Sequence, residues 1–529
     1  MDFAIANTTP GRRIVSVGIG TVLFIVVWQA LSTINALIPT PGAVFRALLL
    51  VYAEPGFATD FLASAQRVVI GFGIALATAF ALFAASYFSQ GLRWALAVPV
   101  ELLRPIPPLA WIPISIVLFG LTDSSAVFII FLGALFPLYT AAMHALTVDS
   151  PPYIALAGSL RGRSGKNFLQ VVLPASGASL LSGVRVAIGF AWMCVVVAEM
   201  TYARSGLGYE LQLQRQLLAL DQVVAYMAII GAVGAVLSGA VYILERALTP
   251  WRFRSAGRSR IRTYQEARED APRRRDATNI ELSGVDFRYA THEPILSNIS
   301  LHISDGEIVA VVGVSGTGKT TLLKLISGEL NPTRGQIEVG GVMPARRERP
   351  AWILQDVGLF PWQTAYENSV FQAIAGQRMA DVSNKALYWL NRAGLSGLEK
   401  RYPHTLSGGQ SQRVQLVRSL VADRSLILMD EPFSKLDAVT KRALIEDFGN
   451  IMRTELRTAV IVTHSIEDAV QISDRIIVLG NAVNGSTVLG DMRIRARSGE
   501  AGFAPSQPAP ERRQQIEVEV LHLLERNSK

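Results

Sequence analysis

One segment determines the architecture of the C-terminal half of this 529-residue chain: Gly313-Val314-Ser315-Gly316-Thr317-Gly318-Lys319-Thr320. It matches the pattern G-x-x-x-x-G-K-[ST], follows the apolar run 308–312 and precedes a helical pattern over 321–327. A strand, a glycine-rich loop and a helix in this order form a phosphate-binding loop, because glycines let backbone amides wrap phosphate oxygens at the helix N-terminus. We expect Lys319 to reach the β- and γ-phosphates of a nucleotide and Thr320 to offer its hydroxyl to Mg²⁺.

A second element of this site follows about 110 residues later in the chain, where the apolar run 426–429 ends in Asp430 and Glu431. A buried strand that ends in acidic residues, downstream of a phosphate-binding loop, presents a carboxylate to the metal ion of a nucleotide. We therefore expect Asp430 to bind Mg²⁺ and Glu431 to polarise the attacking water. Apolar runs at 280–289 and 308–313 predict strands, and helical patterns alternate with strands after them, which predicts an α/β nucleotide-binding domain.

The N-terminal half has a different composition. Residues 1–250 contain 13 Lys/Arg and 10 Asp/Glu, whereas residues 251–529 contain 37 and 32. Because a spanning helix needs about 20 mainly apolar residues, the charge-free runs indicate a membrane domain. They predict six transmembrane helices, near 14–34, 66–88, 96–120, 124–146, 178–200 and 223–248. The third contains or adjoins Pro105, Pro107, Pro108 and Pro113.

The net charge of +8 is concentrated outside the two domains. Residues 252–275 carry nine arginines against three acidic residues. A nucleic-acid-binding protein carries such charge on a folded domain, so we expect no nucleic-acid partner and interpret 252–278 as a linker along an anionic membrane surface. Lys/Arg in the loops place both termini in the cytoplasm. The single cysteine, Cys194, can form no intrachain disulfide.

Between the phosphate-binding loop and the acidic pair at 430–431 lies Leu406-Ser407-Gly408-Gly409-Gln410. This segment resembles the signature of the ATP-binding cassette (ABC) family. Gln355, Asp437 and His464 match that family's Q-loop, D-loop and switch histidine, and Tyr289 matches the aromatic residue that stacks on adenine. The resemblance implies ATP and Mg²⁺ as cofactors. It implies catalytic roles for Glu431, His464 and Gln355; ATP binding by Tyr289, Gly313, Val314, Ser315, Gly316, Thr317, Gly318, Lys319, Thr320 and Thr321; ATP binding across a dimer by Ser407, Gly408, Gly409, Gln410 and Asp437; and Mg²⁺ binding by Thr320, Gln355 and Asp430.

The N-terminal half is similar to the permeases of the nitrate/taurine/alkanesulfonate importer family in segments 167–174, 182–189, 198–199 and 205–208. Segments 359–362 and 367–368 resemble that family's ATPases. The resemblance implies that the loop at about 147–177 forms a short helix beside Gln355 that transmits cassette closure to the membrane helices. The loop departs from the family pattern, because Ala155, Leu156, Ala157 and Arg161 stand where Glu-Ala-Ala and a later Gly are usual. An ordinary basic cytoplasmic loop is the alternative.

Together these features predict an all-α membrane domain of six helices, of the type I importer kind, fused to an α/β ABC nucleotide-binding domain. The predicted boundaries are 1–251 for the permease, 252–278 for the linker, 279–490 for the ATP-binding domain and 491–529 for a tail with a short amphipathic helix. In the tail, Ile516, Val520, Leu523 and Leu524 share one helical face.

The resemblance implies ATP-driven import of a small solute, such as a sulfonate or nitrate, by a multi-pass protein of the cell inner membrane. Because each ATP in this family lies between two cassettes, and the chain has one, we expect a homodimer. A separate extracytoplasmic solute-binding protein is the other expected partner, and Arg104 and Arg185 are candidates for anion contact. Two alternatives remain: a half-size exporter, since the spans precede the cassette, and a membrane-tethered ATPase without solute flux.

Overall fold

The computed structural model describes residues 10–35, 37–161, 165–253, 278–289, 293–347, 349–354, 358–373, 379–434, 438–482, 485–495 and 510–526. The chain forms two compact units. The first comprises Met1–Ser150 and Leu173–Thr249, and the second comprises Pro151–Val172 and Pro250–Lys529. The segment Pro151–Val172, which interrupts the first unit in sequence, thus belongs to the second by its contacts.

In the N-terminal half, the described residues form helices joined by short turns. Its helices are α1 (Pro10–Ile34), α2 (Pro41–Ala53), α3 (Phe57–Phe88), α4 (Gln90–Leu103), α5 (Ile112–Phe119), α6 (Asp123–His144), α7 (Pro151–Arg161), α8 (Leu173–Tyr202), α9 (Leu207–Gln216) and α10 (Leu220–Leu248). Among the described residues, four helices are long and apolar enough to cross a membrane: Phe57–Phe88, Asp123–Asp149, Phe168–Tyr202 and Leu220–Leu248. They correspond to the second, fourth, fifth and sixth predicted spans.

The prediction of a continuous third helix over 96–120 is wrong. Helix α4 ends at Leu103, and the next helical segment, Pro108–Phe119, leaves it at an angle of 94°. Prolines at 105, 107 and 108 cause the break, because each lacks an N–H donor and disfavours helical backbone in the residue before it. Pro107 is extended, with φ −58° and ψ 140°. The first predicted span corresponds to α1; within the part of α1 whose side chains the structure describes, Gly18–Ile34 is an apolar helix.

Helix α6 forms the centre of the first unit, packed between α3 and α8. Ile129, Ile130 and Ala134 on α6 are fully buried. A Cβ at Gly71 of α3 would lie 2.8 Å from Ile130 Cβ, so glycine allows the two helices to approach closely. Large apolar side chains cover the outer faces, as with Val236, which is 70% exposed. An apolar exterior around a packed interior is typical of a membrane-spanning unit.

Within its described residues, the second unit contains one nine-stranded sheet. Its strands are β1 (Ile280–Phe287), β2 (Leu296–Ile303), β3 (Ile308–Val312), β4 (Arg334–Val339), β5 (Ala351–Ile353), β6 (Leu426–Asp430), β7 (Thr458–Thr463), β8 (Arg475–Ala482) and β9 (Gly485–Arg493). The strand order is β4-β1-β2-β9-β8-β3-β7-β6-β5. The five strands from β8 to β5 pair in parallel, whereas β4-β1-β2 and β8-β9 pair antiparallel.

The second unit also contains the helices α11 (Pro250–Phe253), α12 (Lys319–Ile326), α13 (Ala365–Val370), α14 (Met379–Arg392), α15 (Gly408–Val421), α16 (Ala438–Thr454), α17 (Ile466–Ile472) and α18 (Pro510–Arg526). Helices α12, α15, α17 and α18 pack against the strands, and β3, β5, β6 and β7 are buried along their full length. Helix α18 buries Ile516 and Val520 against β3 and β8, with Leu523 and Leu524 packed at the edge of the same cluster. The arginine-rich stretch 254–277 lies outside the described residues.

Candidate nucleotide-binding site

Sheet topology brings the sequence motifs to one edge. Strands β3, β7, β6 and β5 are parallel neighbours, so their carboxyl ends lie side by side. The phosphate-binding loop follows β3, His464 follows β7, and Asp430 ends β6. In parallel α/β sheets, ligands bind outside this edge because loops and helix N-termini converge there.

The loop after β3 has the backbone that a phosphate cradle requires. Gly316 and Gly318 have φ values of 89° and 77°, a region that side chains other than glycine rarely occupy. A Cβ at Gly318 would also lie 2.7 Å from Ile295 Cγ2, so a larger residue there would be strained and would displace that side chain. The Thr317 hydroxyl donates to Val314 O at 2.9 Å and closes the loop from within. Helix α12 then begins at Lys319, with its amide groups directed toward the loop.

Lys319 is mostly buried, and its ammonium group lies within the loop. Its Nζ donates to Gly313 O at 2.9 Å and to Val314 O at 2.7 Å. Burial lowers the pKa of Lys319, while the nearby carboxylates of Glu431 and Asp430 oppose that shift. A lysine that is desolvated and held by carbonyl oxygens gains from exchanging them for charged phosphate oxygens.

Two oxygen donors next to the loop fit a magnesium ion. The Thr320 hydroxyl donates to Asp430 Oδ2 at 2.8 Å, so both groups already face the same point. Burial raises the pKa of Asp430, and the hydrogen bond from Thr320 counteracts it. Mg²⁺ takes one or two protein oxygens and completes its shell with phosphates and water. A hydroxyl and a desolvated carboxylate therefore suit this ion.

Glu431 and His464, which the sequence predicted separately, are neighbours in the structure. His464 Nδ1 lies 3.0 Å from Glu431 Oε1. Glu431 has a φ of 47°, a conformation that costs a non-glycine residue roughly 1–2 kcal/mol. Its backbone N–H donates to Val462 O at 2.9 Å, which anchors it to the adjacent strand. The backbone thus turns immediately after Asp430, and two consecutive carboxylates can take different roles.

The remaining predicted residues are described only in part. Ser407 caps the N-terminus of α15 and forms a reciprocal pair of hydrogen bonds with Gln410. Ser407 and Gly408 are exposed, as a surface that contacts another molecule requires. Tyr289 is 37% exposed, with its ring packed edge-on against Phe287. The predicted residues Gln355 and Asp437 lie outside the described residues.

Helix α7, which lies in the loop predicted at about 147–177, packs on an aromatic surface of the second unit. Its Leu156, Ala157 and Leu160 are fully buried in the same hydrophobic cluster as β1, β2 and β3. The Tyr153 ring lies 5.0 Å from that of Trp362, edge to face, and 6.5 Å from that of Phe360. Aromatic pairs in this geometry add specificity to apolar burial.

Residues 359–372 hold this surface in place. Asn368 Oδ1 accepts from Phe360 N at 2.8 Å, and Asn368 Nδ2 donates to Phe360 O at 3.0 Å. Gln372 Nε2 donates to Leu160 O at 3.1 Å and to Pro350 O at 2.8 Å, so one side chain ties the end of α7 to the start of β5. The sequence had marked Asn368 only by resemblance; its amide fixes the backbone of the aromatic residue that α7 contacts.

In the first unit, the structure reveals a buried ion network that the sequence analysis missed. Arg67 on α3, 5% exposed, donates to Glu199 Oε1 on α8 at 2.7 Å and to Asp123 Oδ1 on α6 at 2.8 Å. Glu199 also accepts from Ser64 and from the backbone of Gly208, at 2.9 Å each. The signal available in the sequence was an acidic residue inside a predicted span, which needs a partner.

The two arginines considered for anion contact lie in different surroundings. Arg185 forms an ion pair with Glu245 and stacks on Tyr242, 5.4 Å from the ring centre. Both neighbours are on α10, so Arg185 joins two helices. Arg104 lies at the break after α4, where Nη2 contacts Glu101 Oε1 at 3.1 Å, and it lines an open cleft of the first unit.

Comparisons with known proteins match both units. The family model described as ABC transporter matches residues 296–434. The family model described as binding-protein-dependent transport system inner membrane component matches residues 77–254.

Two relatives carry a name that refers to sulfonate import. A protein of Bacillus anthracis named aliphatic sulfonates import ATP-binding protein SsuB is 39% identical over 202 residues, which are 38% of this chain and 79% of that protein. A protein of Pseudomonas syringae pv. tomato named aliphatic sulfonates import ATP-binding protein SsuB 1 is 35% identical over 224 residues, 42% of this chain and 78% of that protein. A solved dimeric structure of a bacterial ABC transporter cassette is 30% identical, with a TM-score of 0.38, and covers 41% of this chain and 100% of its own.

Proposed function

This chain belongs to the ABC transporter family as a fused permease and ATP-hydrolysing cassette, and from that premise we propose that it imports small organic anions of the aliphatic sulfonate class. The observation that carries the proposal is the union in one multi-pass chain of two parts: a permease domain of the binding-protein-dependent kind, and a cassette related to sulfonate importers. The match to the permease family model disfavours the exporter alternative, which rested on domain order alone.

We assign the chemistry to the residues at the edge of the sheet. The cassette binds ATP, and the phosphate-binding loop with Lys319 would hold its phosphates. Thr320 and Asp430 would hold Mg²⁺, which supplies charge neutralisation on the β- and γ-phosphates. Glu431 would orient and polarise the attacking water, and His464, 3.0 Å away, would keep that carboxylate in place and contact the γ-phosphate.

Transport then requires that the cassette move the membrane helices. Helix α7 supports this step, because it comes from the permease sequence and is buried among cassette residues. We propose that ATP binding closes two cassettes on each other, that α7 moves with its cassette, and that the membrane cavity changes sides. Hydrolysis through Glu431 resets the transporter.

The assembly that we propose is a homodimer in the inner membrane, with both termini in the cytoplasm and a separate extracytoplasmic solute-binding protein. Exposed Ser407 and Gly408 on each cassette would complete the ATP site of the other copy, together with Gly409, Gln410 and Asp437. The proposed domains are the permease at 1–251, the linker at 252–278, the ATP-binding domain at 279–490 and the tail at 491–529.

ATPase activity in lipid nanodiscs tests the proposal. The full chain is mixed with a panel of solute-binding proteins, each either empty or loaded with butanesulfonate, taurine or nitrate. We expect a binding protein loaded with the alkanesulfonate to raise ATP turnover above the level with the same protein empty. The Glu431→Gln chain is the control for contaminating ATPases.

Two results would contradict the proposal. Stimulation by a lipophilic compound without any binding protein would indicate an exporter. Absence of ATP-dependent flux into sealed vesicles, despite normal ATP turnover, would indicate a membrane-tethered ATPase. Stimulation by nitrate alone would retain the importer and replace the substrate class.

A further inference from the structure

The first unit contains an open cleft of about 530 Å³ beside the break between α4 and α5. Its walls come from the broken segment, from α6 and from α8. A second cleft, of about 390 Å³, adjoins it, and the two share Arg104, Thr140 and His144. Arg104 at the break, Thr140 and His144 on α6 and Ser182 on α8 thus bring polar side chains from three elements to the first cleft.

The break between α4 and the segment Pro108–Phe119 supports a binding site at this cleft. Backbone that is not helical is tolerated at membrane depth only where protein or a water-filled cavity satisfies its polar groups. Broken helices in transporters accordingly mark the places where substrates bind. Here the break carries a cation, since Arg104 directly follows α4, and the segment that contains Ile106 and Pro108 lines the cleft.

The charge at the cleft has one sign. Arg104 is the charged side chain among the residues that line it, His144 is the other titratable one, and no acidic residue lines it within the described part of the chain. Glu101, the ion-pair partner of Arg104, is 68% exposed at the side of the second cleft. Asp149 lies behind His144, 3.8 Å from its Nδ1, and accepts a hydrogen bond from Ser179.

The rest of the wall is apolar. Leu132 and Phe136 of α6 and Val186 and Phe190 of α8 line the same cleft. A cationic end and an apolar wall complement a ligand that has an anionic head and a short hydrocarbon chain. A guanidinium group can donate two parallel hydrogen bonds to the oxygens of such a head group.

We propose that this cleft holds the transported alkanesulfonate during its passage, with Arg104 contacting the sulfonate oxygens and the apolar wall contacting the alkyl chain. This assignment rests on the proposed function and names the substrate contacts in the membrane unit. Ser182, which is exposed on the α8 side of the cleft, provides a position from which the assignment can be probed.

The experiment uses the full chain with Ser182→Cys in lipid nanodiscs without nucleotide. Two thiol reagents are compared, 2-sulfonatoethyl methanethiosulfonate and 2-(trimethylammonio)ethyl methanethiosulfonate. The first is anionic and itself carries a sulfonate on a two-carbon chain, whereas the second is cationic. The ratio of their rates is divided by the same ratio at Leu217→Cys, an exposed loop position outside both clefts. The unmodified chain reports any reaction of the buried Cys194.

We expect the normalised ratio to favour the anionic reagent by about tenfold, the size of one charge-assisted contact of about 1.4 kcal/mol. Butanesulfonate should slow the reaction at Ser182→Cys, and butyltrimethylammonium should not. Adding Arg104→Gln should remove the preference, whereas Arg104→Lys, which retains the charge, should keep most of it. The matched control is Arg46→Gln, which removes an exposed arginine that lines neither cleft.

A normalised ratio near one, or a ratio that Arg104→Gln and Arg46→Gln change equally, overturns the assignment. Absence of any reaction at Ser182→Cys also overturns it, because a second copy of the chain or lipid would then fill the cleft. The proposed function fails separately, if the unmodified chain shows no sulfonate-dependent turnover. Sulfonate uptake at an unchanged rate in Arg104→Gln, at a saturating concentration of loaded binding protein, would leave the importer standing and remove this site.

Discussion

Leu156→Ala tests whether α7 couples the cassette to transport. Leu156 is fully buried within the cassette cluster, and removing three carbon atoms from such a position costs about 3 kcal/mol. That energy is equivalent to a change of roughly 100-fold in the equilibrium between the docked and undocked helix. None of the atoms removed belongs to the nucleotide site, so basal ATP turnover should change little.

The assay is ATP-driven sulfonate uptake into sealed vesicles, measured beside ATP turnover in the same preparation. We expect the number of solutes moved per ATP to fall at least tenfold, with basal turnover retained. Leu169→Ala is the matched control, because Leu169 is in the same loop segment but is 64% exposed, where truncation costs within about 0.5 kcal/mol. Equal coupling in both variants would refute the role of α7.

Three further outcomes follow from the described contacts. Glu431→Gln should reduce ATP turnover by at least about 100-fold and retain bound ATP, because the amide cannot accept a proton from water. Single-turnover hydrolysis and nucleotide retention measure this, and normal turnover would contradict the assignment. Glu199→Gln should destabilise the membrane unit by about 3 kcal/mol in thermal unfolding, because Arg67 would keep a buried charge without its carboxylate partner. Asp123→Asn should cost under about 1 kcal/mol, because the Asp123 side chain is 73% exposed. Val520→Ala should lower the unfolding free energy of the cassette by about 1–2 kcal/mol, because Val520 is fully buried. Val518 on the same helix is 61% exposed, so Val518→Ala should leave that free energy unchanged. Equal effects of the two substitutions would mean that α18 is not docked.

Much of the cassette could be predicted because its motifs are local. A glycine-rich loop needs positive φ angles at fixed spacing, and the spacing of the glycines within residues 313–320 indicates such a loop directly. Asp430 and Glu431 were likewise identified from a buried strand that ends in acidic residues. The backbone turns at Glu431, with a φ of 47°, and no sequence pattern specified that turn.

The membrane unit was less predictable, and the third span shows why. The prolines were visible, but membrane helices can tolerate proline when neighbours satisfy the freed carbonyl groups, so composition did not decide between a kink and a break. The structure shows a bend of 94°. The Arg67–Glu199 pair could not be identified for a related reason: the two residues are 132 positions apart, and a charge at Glu199 inside a predicted span indicated that a partner was needed but not which residue it was.

The sequence by itself determined the two classes of architecture, the phosphate-binding loop and the alternation of strands and helices, because these depend on the chemistry of adjacent residues. Only the tertiary structure decided which distant groups meet: His464 with Glu431, Thr320 with Asp430, and α7 with the aromatic surface around Phe360. Such pairings depend on strand order and helix packing, which are set by the burial of the whole core rather than by any local pattern.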